Sequence, residues 1–429
     1  MRYVIVGGSA AGVSAIEAIR SLDRTSPIEL FSDEETPLYS RVLLTYYIAG
    51  AISKEELHFR PPEFFKENNV MPHLGKRVKT VSPDSKSIET EDGKTHSFDK
   101  LLIATGSSPK TLNIPGVDKE GVCGLRNMEH AQKIISRSDK TDTVCILGGG
   151  LIGLRDGYAL AARGLKVKMI VKSNRVLSQM LDEESSAMVQ ERLQGHGIEI
   201  RTGRDGVEIL GKGSVEGIML DNGEKIDCQM VIIGKGVDPN VEPVSSTGIE
   251  VKEGIVADEH MGTNVPDIYV AGDVAETFDI SRGRTSVNAI WPCAFEQGRI
   301  AGLNMAGQEA RYVGSFRMNS IDIYGLPAIS LGITRPDGDR LQEVTRRTRD
   351  TYRKLVLEDG RIVGAILVGQ VQKAGLLSTL LRKKIDVSDY TAFLMSERLN
   401  VADLLPLMRQ NAEKFTEIEY RELLASTSQ

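Results

Sequence analysis

Apolar and polar positions along this chain switch twice from the pattern of a buried strand to that of a helix, each time across a run of small residues. Val4, Ile5 and Val6 form a short continuous apolar run, as in a strand covered on both faces, and Ser14–Arg20 then takes helical spacing with good helix formers. Between them lie Gly7, Gly8, Ser9, Ala10, Ala11 and Gly12. The order returns in TVCILGGGLIGL at 143–154, where Gly148, Gly150, Ile152 and Gly153 lead into a helical stretch ending at about Arg163. Such a turn brings the backbone close to a pyrophosphate and offers it the free N–H groups of a helix start. Ser9 replaces the middle glycine of the first turn, and a small residue still allows that approach. Two copies predict two dinucleotide sites.

Other apolar runs bounded by turn residues extend the picture. PIELF (27–31), LLIATG (101–106, ending at Ala104, Thr105 and Gly106), KVKMIV (166–171), MVIIGKGVDP (230–239, containing Gly236) and IYVAGDV (268–274) read as strands. Asp92-Gly93 and Asn222-Gly223 mark hairpins, and Glu358-Asp359-Gly360 another. TRRTRDTYRK (345–354) reads as one basic strand, a solvated face or a docking face for an acidic redox partner.

Several polar residues sit where nucleotide chemistry needs them. A carboxylate about 20 residues beyond the first glycine turn accepts hydrogen bonds from ribose hydroxyls, which makes Asp33 or Glu34 the candidate; a solvated acidic loop is the alternative. Arg41 interrupts the apolar PLYSRVLL, where a cation is costly unless paired, and a flavin ring edge is a suitable partner. Asp273 follows a strand and Gly272, placed to hold a sugar-alcohol hydroxyl near a helix start, though strand-end aspartates also occur without that role. Lys172 and Arg175 stand where an acid would hold the ribose of NAD, which suits the extra phosphate of NADP; two exposed bases are the plain alternative.

Composition narrows the class. The chain has 429 residues, enough for about three domains, with 41% hydrophobic and 26% charged residues and a net charge of −6. No apolar run approaches the roughly 20 residues of a membrane span, and no basic stretch argues for nucleic acid. Met1 leads directly into the first strand without room for a signal peptide, so a cytoplasmic location is expected. The four cysteines, at 123, 145, 228 and 293, form no CxxC pair, so neither an iron–sulfur centre nor a structural zinc site is expected, and the first 122 residues contain none.

VIVGGSAAG, LYSRVLLT, LLIATGSSP, ILGGGLIGL, IYVAGDVAE and AIWPCAFEQGRIAGLNMAG, in this order, resemble the FAD-dependent pyridine-nucleotide oxidoreductases. The resemblance is to the branch containing NADH oxidases, rubredoxin and ferredoxin reductases and the flavin part of assimilatory nitrite reductase. This resemblance covers nearly the whole chain and implies an α/β fold with two Rossmann-like domains. The FAD domain, 1–113 and 242–315, is split by an inserted NAD(P) domain at 114–241, and a C-terminal α+β interface domain follows at 316–429, with helical segments over 386–424. The resemblance implies FAD on the first glycine turn, with Arg41, Val78, Ala104, Thr105 and Gly106 lining its site. It puts Asp273 on the ribityl chain and Glu296 and Gln297 at the start of the helix beneath the ring, and NAD(P)H on the second turn.

Two departures from the family pattern bear on activity. Relatives that reduce peroxides or disulfides carry a redox cysteine near the position of Arg41 and Val42, and Arg155 and Lys172 replace glutamates of many relatives. The implied activity is therefore flavin-centred, with no catalytic side chain: electrons pass between NAD(P)H and a separate iron–sulfur carrier or the catalytic subunit of a redox complex. The alternatives are a free-standing NAD(P)H oxidase making hydrogen peroxide and a non-catalytic flavin-binding structural or regulatory subunit.

Overall fold

Strand Tyr3–Val6 is wholly buried at the centre of a five-stranded parallel sheet. Ile28–Phe31 and Lys100–Ile103 flank it, and Val70–His73 and Ile268–Val270 are the edges. Continuous apolar runs are what a sheet covered on both faces selects. Helix Ala10–Leu22 packs against helix Trp291–Met305 so closely that a Cβ on Gly298 would lie 2.1 Å from the Ala11 carbonyl oxygen. An antiparallel meander, Val78–Ser82, Ser87–Thr90 and Thr95–Ser97, joins the same core through Val78, Val81 and Ile88. The computed structural model describes residues 1–336, 338, 340–396 and 404–416.

The second glycine turn lies in a sheet of the same kind. Thr143–Leu147 is central, between Lys166–Val171 and Met230–Ile233, with Glu199–Thr202 and Val122–Gly124 outside them, all parallel. Helix Leu151–Ala162 follows the central strand, and a meander of Gly206–Leu210, Gly217–Leu220 and Lys225–Asp227 accompanies it. The chain passes between the two modules through the antiparallel pair Ser107–Pro109 and Val237–Pro239. Both modules belong to one compact unit, Met1–Asn174, Gly197–Asp279 and Arg284–Ser315.

A second unit comprises Arg175–His196, Ile280–Gly283 and Phe316–Gln429. Its antiparallel sheet runs in the order Met318–Ile323, Leu326–Gly332, Arg361–Val368, Tyr352–Glu358, Leu341–Arg347. Helix Ala374–Arg382 buries Leu376, Leu377, Leu380 and Leu381 in this unit's core. Short helices Thr391–Leu394 and Leu405–Gln410 answer part of the helical expectation over 386–424, while 397–403 and 417–424 lie outside the described residues.

The basic stretch at 345–354 is not one strand. It is the end of one strand and the start of the next, joined at a turn where the Thr348 amide donates to the Thr351 carbonyl at 2.9 Å. Lys354, with a side chain only 4% exposed, lies 2.8 Å from Glu343 and 3.4 Å from Asp182, and Arg353 donates to the Leu394 and Ser396 carbonyls. These two bases are internal braces, and Arg346, Arg347 and Arg349 are the exposed remainder. Among the described residues no helix is long and apolar enough to cross a membrane.

Candidate functional site

The two glycine turns are built alike. Gly7 has φ +119° and a Cβ there would lie 2.0 Å from the Ala104 carbonyl oxygen; Gly148 has φ +130°, with Gly234 O at 2.3 Å from its Cβ position. Each turn is pressed against the end of the neighbouring strand, where only glycine fits. Gly12 and Gly153, five residues on, close against the carbonyls of Gly7 and Gly148. The middle position is different: Gly150 has φ −83° with open space around its Cβ position, and Ser9 has φ −104°. Serine therefore costs no strain there. Gly8 abuts Pro37, while Ala10 and Ala11 begin the helix.

Neither helix has an acidic residue in its first turn, and neither Ser9 nor Gly150 caps by a side-chain hydrogen bond. The first-turn N–H groups have no intrahelical partners, and the positive end of each helix faces the turn. A diphosphate fits both places. An open polar cleft lined by Ser138, Asp139, Asp142, Arg163 and Lys166 lies instead at the N-terminal ends of the second module's strands, the wrong end for a nucleotide.

Around the first turn, the sequence candidates are joined in a polar network. Glu34 accepts from both the Tyr39 hydroxyl and the Arg41 guanidinium, whose Nη1 also donates to the Arg126 carbonyl at 2.9 Å. Tyr39 in turn accepts from the Met128 amide, and burial foremost raises its pKa above the usual phenol value. Asp33 is exposed and makes no hydrogen bond within this network, though its charge acts on Arg41. Asp273 Oδ2 accepts from Ser107 at 3.0 Å and from Arg126 Nη2 at 2.9 Å. Arg126 and Tyr39 are not among the sequence candidates, because polar neighbours (Ser40 and Arg41, Asn127) leave neither marked out in its local run.

Other candidates hold the scaffold. The Thr105 hydroxyl donates to the Asn240 carbonyl and the Thr105 carbonyl accepts from the Asn240 side-chain Nδ2, tying the two crossing strands. Glu296 and Gln297 do not start their helix, which begins at Trp291, but lie in its second turn; Gln297 is buried and accepts from the Gly272 amide at 2.8 Å, fixing the turn that carries Asp273, while Glu296 is half-buried beside it. Val78 is buried in the core, and Gly106, at φ +69°, lies under the Arg126 guanidinium. Among the cysteines, Cys145, Cys228 and Cys293 are buried and Cys123 is half-buried.

In the second module, Lys172 directly follows strand Lys166–Val171 with an 80% exposed side chain, 3.4 Å from Asp205, which also pairs with Lys235. Burial opposes the charge on Asp205, but the two lysines outweigh it and hold its pKa below the usual carboxylate value. Ile152 and Arg155 are half-buried on helix Leu151–Ala162, and Gly236 precedes the crossing strand Val237–Pro239. Arg175 begins the second unit, whereas Lys172 belongs to the first. Asp156, next to Arg155, is fully buried, and neither carboxylate oxygen has a hydrogen-bond partner; burial pushes its pKa up to about 8.

Residues 1–298 match the model of the pyridine nucleotide-disulphide oxidoreductase family, and residues 318–385 match the rubredoxin NAD+ reductase C-terminal domain. A nitrite reductase [NAD(P)H] of Bacillus subtilis is 29% identical over 90% of this chain and 48% of its own length. The epsilon subunit of the NADH-dependent phenylglyoxylate dehydrogenase of Aromatoleum evansii is 29% identical over 90% of this chain and 93% of that one. Among solved structures, a NAD-dependent persulfide reductase from A. fulgidus superimposes with TM-score 0.83 at 26% identity, covering 91% of this chain and 78% of that one. The chain spans about half the length of the first curated relatives it matches.

Proposed function

The chain belongs to the pyridine nucleotide-disulphide oxidoreductase family, and on that premise we propose that it is a FAD-dependent NAD(P)H oxidoreductase. It hands electrons to a separate iron–sulfur protein or to the catalytic subunit of a redox complex, in the cytoplasm, where the nicotinamide pool is. The FAD domain is 1–113 with 242–315, the NAD(P) domain 114–241, and the interface domain 316–429. The observation that carries this reading is the pair of uncapped helix starts built alike on two parallel sheets, in a chain whose first 122 residues hold no thiol.

When bound, the flavin supplies two-electron chemistry toward nicotinamide and one-electron chemistry toward a metal centre. The chain's part is to bind and orient. Amides at the start of helix Ala10–Leu22 take the diphosphate. Asp33, exposed and not hydrogen-bonded to the Tyr39 and Arg41 groups that occupy Glu34, takes the adenosine ribose. Ser107 and Arg126 hold Asp273 Oδ2, leaving Oδ1 for a ribityl hydroxyl. Glu34 and the Arg126 carbonyl fix Arg41, which keeps a positive charge at a set position in the segment that lines the flavin.

The near full-length likeness to a dehydrogenase subunit and the half-length match to a nitrite reductase both support an electron port for a partner over a self-contained enzyme. Purification from the native host tests this. An iron–sulfur protein that travels with the chain and is reduced through it by NAD(P)H is the expected result; peroxide as the sole product would overturn it.

A further inference from the structure

Away from both glycine turns, three donor atoms converge where the first parallel sheet meets its meander. Glu29 lies in strand Ile28–Phe31, His73 ends the edge strand Val70–His73, and His96 lies in Thr95–Ser97. His73 Nε2 is 2.9 Å from Glu29 Oε2 and His96 Nδ1 is 3.3 Å from the same oxygen, with all three donor atoms within 4.8 Å of one another. Phe31 stacks on His73 at 4.3 Å between centroids and meets His96 edge-on at 4.7 Å, so packing orients both rings. The side chains of Glu29, His73 and His96 are 15%, 23% and 21% exposed, which leaves the cluster open to water on one side.

We infer that Glu29, His73 and His96 form a binding site for a divalent transition-metal ion, zinc foremost. Two imidazole nitrogens and one carboxylate oxygen are the donor set such an ion prefers, whereas calcium and magnesium require shells of oxygen. Zinc bonds of roughly 2.0–2.2 Å put tetrahedral donors roughly 3.3–3.5 Å apart, so the existing spacing needs only small side-chain rotations. Water takes the fourth position from the open side. The absence of a CxxC pair excludes only a thiolate site of that spacing, and these ligands stand too far apart in the chain for any spacing rule to reveal them.

The ion would act as a structural clip. It ties together strands Ile28–Phe31, Val70–His73 and Thr95–Ser97, and the His73 carbonyl accepts from the Ser32 amide at 3.1 Å, at the start of the loop that carries Asp33 and Glu34. Occupancy therefore steadies that loop as well as the meander.

The competing account is a hydrogen-bonded trio in which one carboxylate oxygen serves two imidazoles and no metal binds. To decide, the full chain is stripped with a chelator, desalted, re-exposed to micromolar zinc and assayed for bound metal, and cobalt(II) is titrated in parallel for the visible absorption of a tetrahedral site. One zinc per chain, an affinity at least about tenfold weaker in Glu29→Gln and His96→Ala, and a zinc-dependent rise in melting temperature are expected. No zinc uptake by the wild-type chain, or equal uptake by the wild type and His96→Ala, would overturn the proposal. Should a variant fail to fold by circular dichroism, the wild-type cobalt spectrum still decides.

Discussion

Arg126 Nη2 donates to Asp273 Oδ2 at 2.9 Å, joining the segment just after the second sheet's edge strand Val122–Gly124 to the strand-end aspartate of the first module. The Arg126 carbonyl accepts from Arg41 in the same network, so one residue braces both the Glu34–Arg41 pair and Asp273. If Asp273 holds the ribityl chain, Asp273→Ala removes a charge-assisted contact of about 1.5–3 kcal/mol and weakens FAD by about tenfold or more. Arg126→Ala should loosen FAD too, and the double variant should lose less than the sum of the singles because the residues act as one unit. Dissociation constants from flavin fluorescence on dilution check this; strict additivity would separate the two residues.

Asp156 makes stability depend on pH. Its pKa is pushed up to about 8 by burial, while an unfolded aspartate titrates near 3.9, so between these values the native state holds a proton that the unfolded state has lost. Stability contributed by the protonated form is complete below about pH 4 and falls as pH rises toward 8. Asp156→Asn, which cannot ionise, should therefore gain on the wild type progressively across that window in denaturant melts. A difference independent of pH would mean that the carboxyl finds a charge-stabilising partner.

Lys354 tests whether the basic stretch works inwardly. Lys354→Met leaves Asp182 and the more exposed Glu343 without their shared cation and should destabilise the second unit by about 1–3 kcal/mol, between the scales of a surface and a buried pair. Charge reversal at exposed Arg346 and Arg347 should leave stability nearly unchanged and instead lower the rate of electron transfer to an acidic partner at low salt. Thermal melts and the salt dependence of transfer separate the two roles.

Nicotinamide preference turns on Lys172. Its exposed ammonium beside Asp205 is available to the 2′-phosphate of NADPH, a contact worth about 1.5–3 kcal/mol when aligned. Lys172→Glu should raise KM for NADPH at least about tenfold and leave NADH similar or better. Equal responses to both nucleotides would mean that Lys172 does not read the phosphate.

How much of this was legible in the sequence depends on how local its cause is. KVKMIV coincides with strand Lys166–Val171, and both glycine turns stand where the small residues put them, because a steric demand on a few consecutive residues is written in those residues. Strand Val70–His73 escaped notice because Pro72 interrupts it, which an edge position tolerates. The turn at Thr348–Thr351 escaped because it contains neither glycine nor proline, so the alternation of Thr and Arg ran on through it. Arg126 and Asp273 meet across 147 residues, and the Glu29, His73 and His96 cluster draws on three separate strands. Only the folded sheets bring these groups together.

The central claim is that bound flavin takes electrons from a reduced nicotinamide and passes them to a one-electron protein acceptor. Anaerobic rapid mixing of the FAD-loaded chain with NADH or NADPH, followed by a second mix with oxidised ferredoxin or rubredoxin in air-saturated buffer, measures this directly. At least one nucleotide is expected to bleach the flavin absorbance, and the iron–sulfur protein to reoxidise it faster than oxygen does. A flavin that neither nucleotide bleaches, or one that only oxygen reoxidises, would contradict this claim.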